Sequence, residues 1–134
     1  MNDEQTIHQL IGDAAFRRLI DAFYEGIAGD PLLRPMYPQD LTASKEHMFL
    51  FLTQYFGGPA RYNALRGHPR LRMRHAPFVI DQAARDAWMR HMRAAVDRAG
   101  IPEPAASLMR DYFERAATFL INQNETKGQI ELLG

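Results

Sequence analysis

Length, composition and charge exclude several classes of protein. The chain has 134 residues, of which 46% are hydrophobic, which suits a single domain with a buried core. Its 16 Lys and Arg residues balance 16 Asp and Glu residues, so the zero formal charge argues against a nucleic-acid partner or a membrane-surface binder. The absence of cysteine excludes disulfides, iron–sulfur ligation and a cofactor attached through thioether bonds.

From the sequence we expect neither a signal peptide nor a membrane span. Its N-terminus is polar and acidic, and the longest apolar run, from Met48 to Leu52, is far too short to cross a bilayer. We therefore expect a cytoplasmic protein with no membrane partner.

The apolar spacing predicts an all-α fold, beginning with two long helices. Asp13 is a plausible N-cap after a short helix or extension over about 1–12, and the first long helix ends near Gly29. A second helix begins near Thr42 and stops at the Gly57-Gly58-Pro59 sequence. The apolar faces of these two helices comprise Phe16, Leu19, Ile20, Phe23, Tyr24 and Ile27, and then Met48, Phe51, Leu52 and Tyr55.

Two further long helices follow a turn-rich stretch. Residues 58–69 are rich in turn formers and predict an ordered loop. Asp81 is expected to cap a helix that ends at Gly100, and the last helix starts between Pro102 and Pro104. From Gln123 to Gly134 the chain turns polar and is expected to be a loosely ordered tail. The apolar faces comprise Ala84, Trp88, Met92 and Ala95, and then Leu108, Met109, Tyr112, Phe113, Ala116 and Leu120.

The stretch from His68 to Phe78 carries a distinctive histidine. Pro69 suits a first helical turn and Pro77 disfavours helical geometry at Ala76, which predicts a helix of about two turns. His75 would share a face with Leu71, and a carbonyl at the helix end would accept one ring N–H and orient the other nitrogen. This geometry suits a single axial ligand to a flat metal cofactor. On position alone, a structural histidine is the more frequent explanation.

Polar aromatics and arginines form two more groups. Tyr24, Tyr37 and Trp88 are amphipathic rings that, by default, pack in a core and pair their polar atoms with nearby carbonyls. From Gly57 to Ile80 there are five arginines and no acidic residue. A nucleic-acid patch is the weaker interpretation of this run, because the whole chain is neutral and apolar residues alternate with the charges.

These residues together resemble a known family. The Gly57-Gly58-Pro59 turn, Tyr62 and the segment from Arg66 to Phe78 closely resemble group II, or O-type, truncated haemoglobins. Phe23-Tyr24, Tyr37-Pro38 and Trp88 are further matches, and the resemblance runs from about Ile7 to Asn122. The chain departs from the pattern at Ile11-Gly12-Asp13, where a glycine pair is usual, at Phe56, where some members have Trp, and at the variable pocket positions Ser44 and Met48.

The resemblance implies a fold, a cofactor and a set of site residues. The fold would be a truncated globin, a two-over-two helical sandwich around haem, formed by one domain over residues 1–134. His75 would be the proximal ligand of a non-covalent haem b. The residues matching Tyr24, Tyr37 and Trp88 line the distal side in this family and hydrogen-bond the ligand on the iron.

The remaining cofactor contacts are assigned by residue type. Haem carries two propionates, which guanidinium groups bind in a bidentate manner, so Arg66 and Arg74, together with Tyr62 or His68, are expected at that edge. The gate position is Ser44, and His47 is expected on the solvated surface rather than in the pocket. The apolar residues expected against the porphyrin are Met48, Leu52, Leu71, Met73, Phe78 and Met92.

The expected function is reversible binding of dioxygen and other diatomic ligands, with oxygen transport as one use. One alternative is a haem enzyme that oxidises nitric oxide with bound oxygen or turns over peroxide. The other is a haem-free helical interaction module. A reductase partner and the oligomeric state stay open at this point, with a homodimer among the alternatives.

Overall fold

The computed structural model describes residues 5–123, and within that range it contains helices and no strand. The all-α prediction is confirmed. Helix α1 packs against α2 and α5, and α5 packs against α6, which gives two helix pairs, α1–α2 and α5–α6. The elements are α1 (Ile7–Ala28), a 3₁₀ turn (Arg34–Met36), α2 (Thr42–Tyr55), α3 (Arg61–Arg66), α4 (Leu71–His75), α5 (Gln82–Arg98) and α6 (Ala105–Phe119).

Helix α1 joins the short N-terminal stretch and the first long helix of the prediction, with a kink between them. Thr6 is its N-cap: the Thr6 side chain accepts a hydrogen bond from the Gln9 amide, and the Gln9 side chain accepts one from the Thr6 amide. Gly12 interrupts the helix with φ 77° and ψ 170°, next to the predicted boundary. The carboxylate of Asp13 accepts hydrogen bonds from the side chains of His8 and Arg61, so we correct its role as a cap.

The glycine pair after α2 receives the start of α1. The His8 amide donates to the Phe56 carbonyl at 2.9 Å. A Cβ atom on Gly57, which has φ 97°, would lie 2.3 Å from the Thr6 side chain, and one on Gly58 would lie 2.8 Å from the Thr53 carbonyl. Glycine is therefore required here both by backbone conformation and by close approach.

Two local predictions around the third and fourth helices are wrong. Residues 61–66 form helix α3 rather than loop, and the Gln54 side chain holds it by bonds to the Asn63 amide and side chain at 3.0 Å each. Helix α4 starts at Leu71 instead of Pro69, because Arg70 has a left-handed backbone with φ 46°. By contrast, Asp81 caps α5 as predicted, accepting from the Ala84 amide at 2.8 Å.

The core lies between the two helix pairs. The whole apolar face predicted for α1 is buried, from Phe16 to Ile27. Among residues 5–123, no helix is long and apolar enough to cross a membrane. Apart from Gln123 itself, the predicted tail lies outside the described residues.

Candidate functional site

An open cavity of about 370 Å³ lies beside the core, within the size range of small-molecule and cofactor sites. Helices α2, α4, α5 and α6 form most of its wall, and the segment between α1 and α2 also contributes to it. Three half-buried apolar residues on α2 and α6 line this cavity and also pack against the core: Met48, Phe51 and Tyr112.

His75 is the last residue of α4 and lines the cavity. Its Nδ1 atom lies 2.7 Å from the carbonyl oxygen of Leu71, one turn back. A carbonyl only accepts hydrogen bonds, so Nδ1 carries the proton and Nε2 keeps its lone pair. The imidazole is thereby held in the tautomer that a metal ligand needs.

Asn122 ties the short α4 segment to the end of α6. Its side-chain amide donates to the Phe78 carbonyl at 2.9 Å and to the His75 carbonyl at 3.3 Å. Its side-chain oxygen accepts from the Ile80 amide at 2.9 Å. Sequence reasoning missed this residue, because the bonds join positions more than 40 residues apart.

Most of the predicted wall residues meet at the cavity. Helix α2 supplies two of them, α3 two, α4 two, and the turn after α4 one. They are Met48, Leu52, Tyr62, Arg66, Leu71, Arg74 and Phe78.

Two predicted wall residues lie elsewhere. Met73 is 58% exposed, because it points away from the side of α4 that carries Leu71 and His75. Met92 is 0% exposed and packs in the core, one turn of α5 beyond Trp88, where the cavity ends. We therefore correct both assignments.

Three polar aromatic rings lie close together in the cavity wall. The rings of Tyr24 and Tyr37 meet edge to face, with centroids 5.6 Å apart, and Trp88 packs on Phe23 at 5.2 Å. The Tyr24 hydroxyl donates to the Ser44 carbonyl at 3.4 Å. All three of Tyr24, Tyr37 and Trp88 line the cavity.

Burial raises the pKa of both phenols. It raises the pKa of Tyr37 to about 12, and a hydrogen bond from the Trp88 side chain acts in the opposite direction. Burial, followed by the charge of the neighbouring Tyr37, raises the pKa of Tyr24 well above its ordinary value. Both phenols carry their proton at neutral pH, and in this structure the Tyr24 hydroxyl donates it to the Ser44 carbonyl.

His47 lies in the cavity wall, which corrects the expectation of a surface residue. Its Nδ1 atom is 3.2 Å from a terminal nitrogen of Arg66. Burial lowers the pKa of His47, and the positive charges of Arg66 and Arg74 lower it further, while Glu46 acts the other way. A neutral imidazole thus sits beside two cations at the mouth of the cavity.

The arginines between Gly57 and Ile80 lie in different parts of the structure. Arg66 and Arg74 reach the cavity, and Arg74 also donates to the Pro69 carbonyl at 2.7 Å. Arg61 pairs with Asp13, and Arg72 lies over the ring of Phe119 at 5.1 Å. The run therefore does not form one continuous basic face.

Helix α6 and Arg85 also line the cavity. The sequence predicted the apolar face of α6 only as part of the core. Tyr112 and Phe113 border the cavity, and burial raises the pKa of Tyr112 to about 12. Arg85 lies nearby and is ion-paired with Glu114 and Asp86. The helical spacing of α6 was a signal for burial, but it could not separate core from cavity.

The donor set of the cavity fits a flat metal cofactor with acidic side groups. Of the two histidines that line the cavity, His75 is oriented by a carbonyl of its own helix, whereas His47 lies beside the cationic side chain of Arg66. In the part of the chain that the structure describes, no group of three or more His, Cys, Asp or Glu residues could hold a metal ion. An oriented imidazole without such a group suits a metal whose other ligands belong to a macrocycle.

Comparison with known proteins identifies the family of the chain. The family described as bacterial-like globin matches residues 6–122. The group 2 truncated haemoglobin YjbI of Bacillus subtilis is 39% identical over 120 residues, which cover 90% of this chain and 91% of the relative.

Solved structures are similar along nearly the whole chain. The haemoglobin of Chloroflexus aurantiacus superposes with a TM-score of 0.88 at 55% identity, covering 90% of this chain and 100% of that one. A truncated oxygen-avid haemoglobin from Bacillus subtilis superposes with a TM-score of 0.85 at 38% identity, covering 88% and 100%. The group II truncated haemoglobin of Bacillus anthracis gives 0.87 at 34% identity, covering 90% and 99%. The chain therefore belongs to the bacterial-like globin family, a haem-binding family, as a group II truncated haemoglobin.

Proposed function

We propose that this protein binds dioxygen and other diatomic ligands reversibly at the iron of a non-covalent haem b whose proximal ligand is His75. The observation that carries the proposal is the oriented imidazole: Nδ1 is engaged by Leu71 at 2.7 Å, in a residue that lines the cavity. The chain has no cysteine, so the cofactor would be held by contacts alone.

The three polar aromatic rings provide the ligand side of the site. Haem, when bound, supplies an iron atom whose dioxygen ligand carries partial negative charge and accepts hydrogen bonds. Tyr24, Tyr37 and Trp88 each carry one O–H or N–H donor and line the same cavity as His75. We assign them the role of stabilising that ligand. The similarity to an oxygen-avid haemoglobin supports dioxygen as the ligand.

The mouth of the cavity provides the contacts for the two propionates. Arg66 and Arg74 line it from α3 and α4, and both guanidinium groups lie within 6 Å of the Tyr62 ring, at 5.8 and 5.9 Å. Guanidinium binds carboxylate strongly because two parallel N–H groups match its two oxygens. We place the propionates between these arginines and Tyr62, with the apolar walls against the porphyrin.

The test is the visible spectrum of wild type, His75→Gly and His68→Ala, each reconstituted with haem. His68 is a matched control: it lies in the same segment but is exposed and outside the cavity. We expect wild type and His68→Ala to show a strong Soret band that shifts on reduction and on addition of carbon monoxide. His75→Gly should lose haem readily and regain a proximal spectrum with added imidazole.

Two results would contradict the proposal. Normal proximal spectra in His75→Gly would remove His75 from the iron. Failure of the wild-type chain to retain haem under full reconstitution would favour a haem-free helical module instead.

A further inference from the structure

The segment between α1 and α2 carries Tyr37 but has little regular structure of its own. Only the 3₁₀ turn Arg34–Met36 is helical between Ala28 and Thr42. Three prolines in this stretch lack a backbone N–H and therefore cannot donate to its carbonyls. They are Pro31, Pro35 and Pro38.

The guanidinium of Arg34 donates hydrogen bonds to three carbonyls of this segment. One terminal nitrogen donates to the Tyr37 carbonyl at 3.3 Å and to the Pro38 carbonyl at 2.9 Å. The other donates to the Gln39 carbonyl at 2.8 Å. A single half-buried side chain thus binds three successive carbonyls, beginning with that of Tyr37 itself.

The start of the same segment is fastened to α5. One oxygen of the buried Asp30 carboxylate accepts from the Leu32 amide at 2.8 Å and the Leu33 amide at 3.3 Å. The other lies 2.7 Å from Nε2 of His91, which follows Trp88 by one turn of α5. Asp30 therefore links the start of the segment to α5, one turn from Trp88, and Arg34 binds carbonyls near its end.

We propose that Arg34 is a positioning residue of the ligand site, acting through Tyr37. By binding the carbonyls of residues 37–39, it fixes the peptide that carries the phenol and keeps the ring against Tyr24, at a centroid distance of 5.6 Å. The inference rests on the proposed function, because the phenol matters there as a hydrogen-bond donor to the ligand. A planar fork of donors is needed for three carbonyls, which a lysine ammonium cannot reproduce in the same geometry.

The first experiment is a double-mutant cycle on the ferrous haem protein. The variants are Arg34→Met, Tyr37→Phe and the combination, and stopped flow measures dioxygen and carbon monoxide release. We expect Tyr37→Phe and Arg34→Met each to accelerate dioxygen release by about threefold or more. In the Tyr37→Phe background, Arg34→Met should change it by less than about 1.5-fold, because the residue through which it acts is already disabled.

Arg90→Met is the matched control. Arg90 is an exposed arginine whose guanidinium lies 3.9 Å from Asp30, at the other end of the same segment. The Arg90→Met substitution removes the same charge but leaves the bonds to the carbonyls of residues 37–39 intact. Dioxygen release should therefore stay at the wild-type rate. Arg34→Lys should behave like Arg34→Met, since it restores the charge but not the fork.

The second experiment reads the ring position directly. Aromatic NMR cross-relaxation between Tyr37 and Tyr24 in the carbon monoxide form should be strong in wild type and Arg90→Met and weak in Arg34→Met. Unchanged cross-relaxation in Arg34→Met overturns the proposal, as does an Arg34→Met effect on release that persists fully in the Tyr37→Phe background. If Tyr37→Phe alone leaves release unchanged, the ligand role of Tyr37 fails, and the cross-relaxation still decides the role of Arg34.

Discussion

The rings of Tyr24 and Tyr37 meet edge to face at 87°, although they come from a long helix and from the irregular segment that follows it. This contact brings two buried phenols to the same end of the cavity, next to the indole of Trp88. The arrangement concentrates donors on one side of the space that His75 faces from α4. Four predictions follow from this geometry and from the packing around it.

Replacing Trp88 by Phe should accelerate dioxygen release at least tenfold. A hydrogen bond to a charged acceptor is worth on the order of 1.5–3 kcal/mol, and about 1.4 kcal/mol is a factor of ten in an equilibrium constant. Carbon monoxide is a weaker acceptor and should respond less through this bond. Stopped-flow release rates of both ligands check the prediction, with Tyr112→Phe as a control that removes a hydroxyl from the α6 wall instead.

The comparison of dioxygen with carbon monoxide distinguishes a hydrogen-bonding role of Trp88 from a steric role. An equal response of dioxygen and carbon monoxide would make the indole a steric gate. No response of either would show that Trp88 has no distal role. Slow dioxygen release in the wild type would favour oxygen chemistry or sensing over bulk oxygen transport.

Removing haem should lower the melting temperature. Apolar side chains such as Met48, Phe51 and Phe78 line the cavity and would lose their cover without the cofactor. Ligand at one hundred times its dissociation constant stabilises a fold by about 2.7 kcal/mol. For a domain of this size, that corresponds to a shift on the order of 10 °C. Circular dichroism melts of the apo and reconstituted protein measure it, and identical midpoints would argue against a cofactor in this cavity.

Replacing Gly57 by Ala should destabilise the fold more than replacing Gly100 by Ala. Both glycines have positive φ, 97° and 68°, and left-handed backbone costs other residues roughly 1–2 kcal/mol. At Gly100 a Cβ atom meets nothing within 4 Å, whereas at Gly57 it would lie 2.3 Å from Thr6. Displacing Thr6 would also break its N-cap, which is worth about 1 kcal/mol. Urea unfolding should therefore show the larger loss for Gly57→Ala, and equal losses would mean that the Thr6 contact carries no weight.

The buried Asp30 carboxylate should make stability depend on pH at the acid end. The hydrogen bond from His91 and the amides of Leu32 and Leu33 hold the pKa of Asp30 below its ordinary value of 3.8. The folded state then binds the proton less readily than the unfolded state does. The contribution of Asp30 is fully present above pH 3.8 and is lost as pH falls through the lower folded pKa.

The measurement is the free energy of unfolding of wild type and Asp30→Asn between about pH 2 and 7, a range that extends from below the ordinary pKa of a carboxyl group to neutrality. Wild type should be the more stable at neutral pH, with a difference that shrinks below pH 3.8. Asp40→Asn serves as control, because Asp40 also accepts from a backbone amide but is exposed. A difference between wild type and Asp30→Asn that grows toward acid pH would reverse the assigned sign.

Local sequence determined the helices and several of their ends. The spacing of apolar residues from Phe16 to Ile27 predicts the buried face of α1, because helical periodicity alone places those side chains on one side. Asp81 could be identified as a cap because its bond to Ala84 spans three residues. The pairing of His75 with a carbonyl of its own helix was predictable for the same reason.

Tertiary structure alone decided which side chains reach the cavity. His47 enters the wall beside Arg66, Met92 is taken into the core, and Met73 is turned to solvent, although all three lie on helices that the sequence predicts. Helical spacing assigns a residue to a face, but what covers that face depends on elements distant in the chain. Asn122 and Arg34 act through bonds to backbone carbonyls, and those carbonyls come within reach only once the chain has folded.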